Sequence, residues 1–288
     1  MEKKVASVGW GSFFWGIPAL LWQVLFFYIP FFFLIVTSFI KHDAATESFR
    51  FTLEHYRTLC NSIYLKIIFR SFFLASTTVV ICLLIAYPVA YYLAVKVKRW
   101  KSFCFALLVL PFWTNFLLLV YAWYFLLEND GLVNSLLLWA GFITEPIAMM
   151  NTKIAVHCGM FYCYLPFMIL PLYSAFERLD LKLLEASSDL GATDLQTFFK
   201  ITVPLTLSGI QTGALLVFIP SFGDFVVPAL LGGDKDLYIG SVITHYFLTV
   251  RNVAMGSAFT CLATVLLVLL LLCMFVIHSL ISRDSNNA

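Results

Sequence analysis

The chain has 288 residues, of which 61% are hydrophobic, 17% aromatic and 12% charged, with a formal net charge of +2. A soluble domain runs at about 45–50% apolar and about 25% charged, so this composition points away from that class and toward a membrane protein. The net charge decides nothing about nucleic acid, but the lack of any basic block beyond one short loop argues against it as a partner.

Lys3 and Lys4 precede an apolar run that carries no charge from Val5 to Ile40. A secretory signal starts in the same way, but its apolar region covers about 7–15 residues and ends at a small-residue cleavage site. No A-x-A site follows here, so the run is expected to be an uncleaved first span. Charge-free windows of about 20 residues then mark the membrane crossings. Six are expected, at 15–40, 69–95, 103–127, 154–176, 203–231 and 256–281. After the first, Phe51–Arg57 begins a short amphipathic helix. After the second, Lys96, Lys98, Arg99 and Lys101 form a basic loop. Such loops face the cytoplasm, which puts both termini and 177–202 there, and 41–68, 128–153 and 232–255 outside. Lys41, Arg50, Arg57 and Lys66 run against that rule, so the orientation rests on the 96–101 cluster. Asp130–Leu136 turns at Gly131 and starts a short interfacial helix. Main-chain polar groups in lipid must be satisfied within the segment, so each crossing reads as a helix. The expected fold class is all-α and integral to the membrane, a single transmembrane domain over 1–288.

Residues 177–202 are unusually polar for this chain. Asp180 is placed to cap a helix starting at Leu181. Gly191 supplies the left-handed residue that ends one. Thr193 and Gln196 have the spacing of a capping box for a second short helix, and Pro204 suits the first turn of the fifth span. The segment therefore reads as helix, glycine turn, helix. It carries three cations (Arg178, Lys182, Lys200) against five carboxylates (Glu177, Asp180, Glu185, Asp189, Asp194). Anionic lipid attracts the opposite balance. A self-packed loop and a rigid docking element for a soluble partner remain.

Glu185-Ala186-Ser187, then Gly191, Ile201 and Pro204, resembles the coupling loop of permease subunits in ATP-binding-cassette (ABC) importers, with Ser187 at the position of a second alanine. The resemblance covers about residues 15–281 and is to the spermidine/putrescine type. Its other motifs are Pro111–Phe116 with Tyr121-Ala122-Trp123, Leu165–Tyr173 with Phe176–Asp180, and Phe222–Gly233. One departure stands out: relatives often carry an arginine where this chain has Leu119. The resemblance implies a fold of six transmembrane helices of the type I importer kind. It implies Glu185, Ala186, Ser187, Asp189, Gly191 and Pro204 as the ATPase-coupling set. The implied partners are an ABC ATPase subunit dimer, a second, related permease subunit and an extracytoplasmic solute-binding protein, with membrane lipid around them. The implied location is the bacterial cytoplasmic (inner) membrane, and the implied cargo a polyamine.

A carboxylate within a span is costly and marks function by default. Asp224 stands roughly 30 Å along the helix from Pro204, near the outer end, bracketed by Pro220 and Pro228. It reads either as a helix-end residue in interfacial water or as a cation-attracting group at an outer gate. Trp113, Tyr121 and Trp123 offer aromatic faces to a cation and equally suit membrane anchoring. Gly209 and Gly213 form a G-x-x-x-G that permits close helix approach within the chain or to another subunit.

The sequence holds no G-x-x-x-x-G-K-[ST] phosphate loop, no metal-ligand spacing among its histidines and no C-x-x-C among its seven cysteines. No cofactor and no catalytic role are expected. Thiosulfate, iron or an opine as cargo, a secondary transporter and a membrane enzyme are the rival readings.

Overall fold

A computed structural model of the chain describes residues 10–43, 48–97, 99–233 and 236–287. Residues 1–9 with Lys3 and Lys4, Glu47 of the first outer segment and Lys98 of the basic cluster lie outside them. In chain order, α1 (Trp10–Gln23) passes through a π-helical turn, Val24–Tyr28, into α2 (Ile29–Ser38). A ribbon of β1 (Ile40–Asp43) and β2 (Ser48–Phe51) leads to α3 (Glu54–Leu59). Next come α4 (Ser62–Tyr91) with a π-helical turn, Tyr92–Lys96, then α5 (Lys101–Val109), a 3₁₀ turn at Leu110–Trp113, α6 (Phe116–Leu127) and α7 (Leu132–Trp139). There follow α8 (Lys153–Glu177), α9 (Leu181–Asp189) and α10 (Asp194–Thr197), which runs through a π-helical turn, Phe198–Thr202, into α11 (Val203–Gly223). The chain continues with α12 (Val226–Leu231), α13 (Ile239–Thr244), a further π-helical turn at His245–Thr249 and α14 (Val253–Asn287).

Among the described residues, six helical stretches are long and apolar enough to cross a membrane: Ile17–Ser38, Ser62–Lys96, Phe116–Trp139, Lys153–Glu177, Asp194–Gly223 and Val253–Cys273. The short helices expected after Phe51 and Gly131 are α3 and α7. Three features differ from expectation. The second crossing begins at Ser62 rather than 69, with Lys66 riding on the same helix. The third is not one helix over 103–127: it breaks between α5 and α6. The fifth breaks at Asp224 and resumes as α12.

Two compact units are seen, one of residues 1–64 with 243–288, the other of 65–242. In the first, α2 packs along α14, where the hydroxyls of Thr37 and Ser257 meet at 3.0 Å. Ser38 and Tyr56 hydroxyls lie 2.8 Å apart. The antiparallel ribbon, which the sequence reading did not anticipate, pairs Lys41 with Arg50. Like charges face to face are unfavourable. Lys41 is relieved by Glu54, whose carboxyl the Lys41 hydrogen bond holds below its ordinary range.

In the second unit α8 carries the core. Val156, Met160, Met168, Leu172 and Phe176 are buried along it, against α6, α11 and α12. The closest seam is with α11. A Cβ on Gly209 would stand 2.6 Å from Ala175 Cβ, and one on Gly213 2.6 Å from Met168 Sδ. The G-x-x-x-G therefore packs within the chain. Replacing Gly209 by leucine forces this seam apart at a cost of about 2 kcal/mol. The detergent-purified variant is expected to melt measurably lower, while Ser208→Ala on the exposed flank melts with the wild type. Equal melting of Gly209→Leu and wild type would remove the seam from the account.

Candidate functional site

The α9–α10 hairpin is assembled from local bonds. Asp180 sits in extended backbone and its side chain accepts from the Lys182 N–H at 3.1 Å. At the other end Gly191 has φ +80°, a left-handed conformation that side-chain-bearing residues rarely adopt. The Gly191 N–H donates to Ser188 O and the Ala192 N–H to Ser187 O, at 3.0 and 3.1 Å. Thr193 then accepts from the Gln196 N–H, and Gln196 Oε1 accepts from the Thr193 N–H at 3.0 Å, a complete capping box.

Pro204 stands in the first turn of α11, as expected, while α10 runs through the π-helical turn into α11 without leaving the helix. Pro204 lacks an N–H and would crowd the preceding turn of a regular helix. The widened turn, in which the Val203 N–H bonds to Phe198 O, accommodates it.

Glu185, Ala186, Asp189, Gly191 and Pro204 are all exposed. Ser187 is buried, and its hydroxyl pairs with that of Thr197, tying α9 to α10. An alanine there has no such bond to make. Around this polar set stand bare apolar side chains: Leu190 is 89% exposed, Leu195 71%, and Leu181, Leu183 and Phe199 are also open. Clustered exposed apolar residues mark surfaces that another molecule covers.

The second constellation lies at the helix breaks, at the other end of α11. The backbone of Asp224 is extended, which stops α11. Asp224 is 9% exposed. Its Oδ1 accepts at 2.8 Å from the N–H of Val226, the first residue of α12, and its Oδ2 accepts from the Tyr164 hydroxyl at 3.2 Å. Gly240 lies against this break, where a Cβ would come within 2.3 Å of Gly223 O. The break between α5 and α6 has the same design. Thr114 and Asn115 are extended, and Asn115 Oδ1 accepts from the Leu117 N–H at 2.8 Å to cap α6. The next residue, Phe116, has its ring 6.4 Å from that of Tyr164. Both breaks therefore converge on Tyr164.

The expected aromatic group is dispersed. Trp113 is 87% exposed, and Tyr121 is exposed as well. Trp123 packs edge-on against Tyr162 at 5.5 Å between centroids. Tyr164 is the aromatic residue bonded to the Asp224 carboxylate, and its own ring lies 6.4 Å from that of Phe116 and 6.2 Å from that of Phe167. Leu119 packs on the apolar core. Sequence reading missed Tyr164 and Asn115. The available signal was that a buried carboxylate needs a donor and that a helix restarting after a break needs a cap.

The family described as binding-protein-dependent transport system inner membrane component matches residues 83–286. A spermidine/putrescine transport system permease protein, PotB, of Haemophilus influenzae is 41% identical over 91% of this chain and 92% of its own length. PotB of Escherichia coli K12 is 42% identical over 87% of this chain and 92% of its own. The inner membrane ABC transporter permease protein YdcU of E. coli K12 is 34% identical over 90% of each. Among solved structures, a bacterial ABC transporter that imports the acidic polysaccharide alginate has the same fold, with a TM-score of 0.75 at 16% identity over 91% of this chain and 93% of that one. The two helix breaks and the capped hairpin thus sit on the membrane-spanning fold of ABC importers. With the family match over most of its length and relatives above 40% identity, the chain belongs to the inner membrane components of binding-protein-dependent transport systems.

Proposed function

We propose that the chain is a single-domain permease subunit that forms the translocation path of an ATP-driven polyamine importer. An extracytoplasmic binding protein delivers spermidine or putrescine. A second, related permease completes the pore, and a dimer of ATPase subunits docks on the α9–α10 hairpin from the cytoplasm, where both termini lie. The observation that carries this reading is the hairpin itself. Its ends are fixed by a cap, a left-handed glycine and a capping box, while Leu190, Leu195 and Glu185 stand bare on its outside. A rigid element with an uncovered apolar face is what a soluble motor needs to push a membrane helix. The cargo class follows the PotB relatives and the carboxylate at the helix break. Asp224, bonded to Tyr164 whose ring in turn meets Phe116 and Phe167, offers an anion with an aromatic neighbour to an amine.

Two outcomes test this. In proteoliposomes containing the whole importer, Gly191→Val is expected to abolish ATP-dependent spermidine uptake, since a β-branched residue at that φ costs about 1–2 kcal/mol and distorts the turn. Glu185→Ala should lose uptake while the spans stay folded by circular dichroism. Normal uptake in both variants would end the coupling role of the hairpin. Separately, Asp224→Asn keeps a capping oxygen and removes the charge. It is expected to lower spermidine uptake by about tenfold or more, the loss of one poorly screened ionic contact. Wild-type uptake in Asp224→Asn would instead favour a cargo that is not a cation.

A further inference from the structure

Tyr87 of α4 touches the chain on both sides of the hairpin. Its ring meets that of Phe176, at the end of α8, edge-on at 5.1 Å between centroids. It meets Phe198, the first residue of the π-helical turn, in the same manner at 5.5 Å. Its hydroxyl lies 3.1 Å from Thr206 Oγ1. Thr206 uses its one hydroxyl proton on the carbonyl of Thr202, at 2.7 Å, so Tyr87 is the donor in the bond between them. The Thr202 hydroxyl in turn donates back to Thr197 O at 3.3 Å, across the widened turn. The Thr197 hydroxyl pairs with that of Ser187 in α9. A ladder of hydroxyls therefore runs from the middle of the hairpin, up the start of the fifth span, to the second span. Ser187, Thr202 and Thr206 are each buried.

The surroundings of Tyr87 allow movement. Pro88 follows it and has no N–H to offer the carbonyl four residues back, and α4 then opens into the π-helical turn Tyr92–Lys96. Helices bend at such places. Beside the ring lies a cleft of about 740 Å³ bordered by Tyr91, Leu184, Phe198 and Ile210. The ring is thus gripped from both arms of the hairpin, on a helix built to flex, next to open space.

We propose that Tyr87 is the positioning residue that carries displacement of the α9–α10 hairpin into the second span. It does so through its two ring contacts and its bond to Thr206. This rests on the reading of the hairpin as the element that the ATPase moves. When the hairpin tilts, Phe176 and Phe198 move with its two arms and take the Tyr87 ring along. The Thr206 bond keeps α4 and α11 in register as α4 bends at Pro88.

The test uses the complete importer in proteoliposomes, with spermidine as the transported probe. ATP hydrolysed per spermidine imported is the readout, because a residue that merely stabilises the fold changes the amount of active transporter and leaves that ratio alone. Tyr87→Phe keeps both ring contacts and removes the donor, and Thr206→Val removes the acceptor at nearly constant shape. Each is expected to raise the ratio about fivefold, the factor carried by one neutral hydrogen bond. The double variant should go no further than either single one, since both cut the same bond. An unchanged ratio in both single variants, with uptake abolished in Gly191→Val, overturns the role of Tyr87 and leaves the hairpin reading standing. Uptake that persists in Gly191→Val removes the hairpin reading, and the role of Tyr87 falls with it.

Discussion

An amide or carbonyl left unpaired in hydrocarbon costs several kcal/mol, and the structure is organised by how each segment meets that demand. Among the described residues, six stretches meet it as helices. Where the chain departs from helix at membrane depth, a side chain supplies the missing bond. Asn115 caps α6, and Asp224 accepts from the first N–H of α12. The breaks are therefore specified features, and each needs a short polar side chain in an apolar neighbourhood. That requirement explains why a carboxylate persists in the fifth span. It also explains why its second oxygen is held by Tyr164, since a buried carboxylate with one free oxygen would be severely under-bonded.

The hairpin obeys a different economy. Outside the membrane, water satisfies loose ends, so order there must come from local geometry. Asp180, Gly191 and the Thr193–Gln196 pair provide it within a stretch of 17 residues from cap to box. The result is held together by the Ser187–Thr197 pair between its two helices, and it meets the second span where the Phe198 ring packs on Tyr87. An element attached in this way moves as a body rather than unravelling.

This division sets what was legible in the sequence. The hairpin was readable almost residue by residue, because caps and left-handed glycines act over three or four positions. The number of crossings was readable because hydropathy accumulates over about 20 residues. At Asp224 a helix end was one of the two readings, but the break before α6 escaped notice because a hydropathy window does not respond to main-chain conformation. Proline did not reveal them either. Pro88, Pro166, Pro171 and Pro220 all sit inside continuous helices. What distinguishes the two breaks is Asn115 and Asp224, each followed at once by an apolar helical run. Contacts such as Tyr164 with Asp224 and Tyr87 with Thr206 join residues 60 and 119 positions apart, and no local pattern encodes them.

The unbroken run from Asp194 to Gly223 gives these parts a mechanical relation. It contains 30 residues, so at about 1.5 Å per residue it is roughly 45 Å long. The exposed hairpin stands at one end and Asp224 at the other. Had the fifth span started afresh at Pro204, the flexible joint would have absorbed any push on the hairpin. Because α10 continues into α11, a tilt of about 10° shifts the far end by roughly 8 Å, by the same helix geometry. A shift of that size exceeds the length of the hydrogen bond between Asp224 and Tyr164. Tyr164 rides on α8, whose seam with α11 is the closest in the unit, so its bond to the Asp224 carboxylate survives a lean of both helices together and breaks when α11 leans alone. Under the proposed function, a lean of α11 alone frees that oxygen for an amine, which would link the carboxylate to the hairpin without any contact between them.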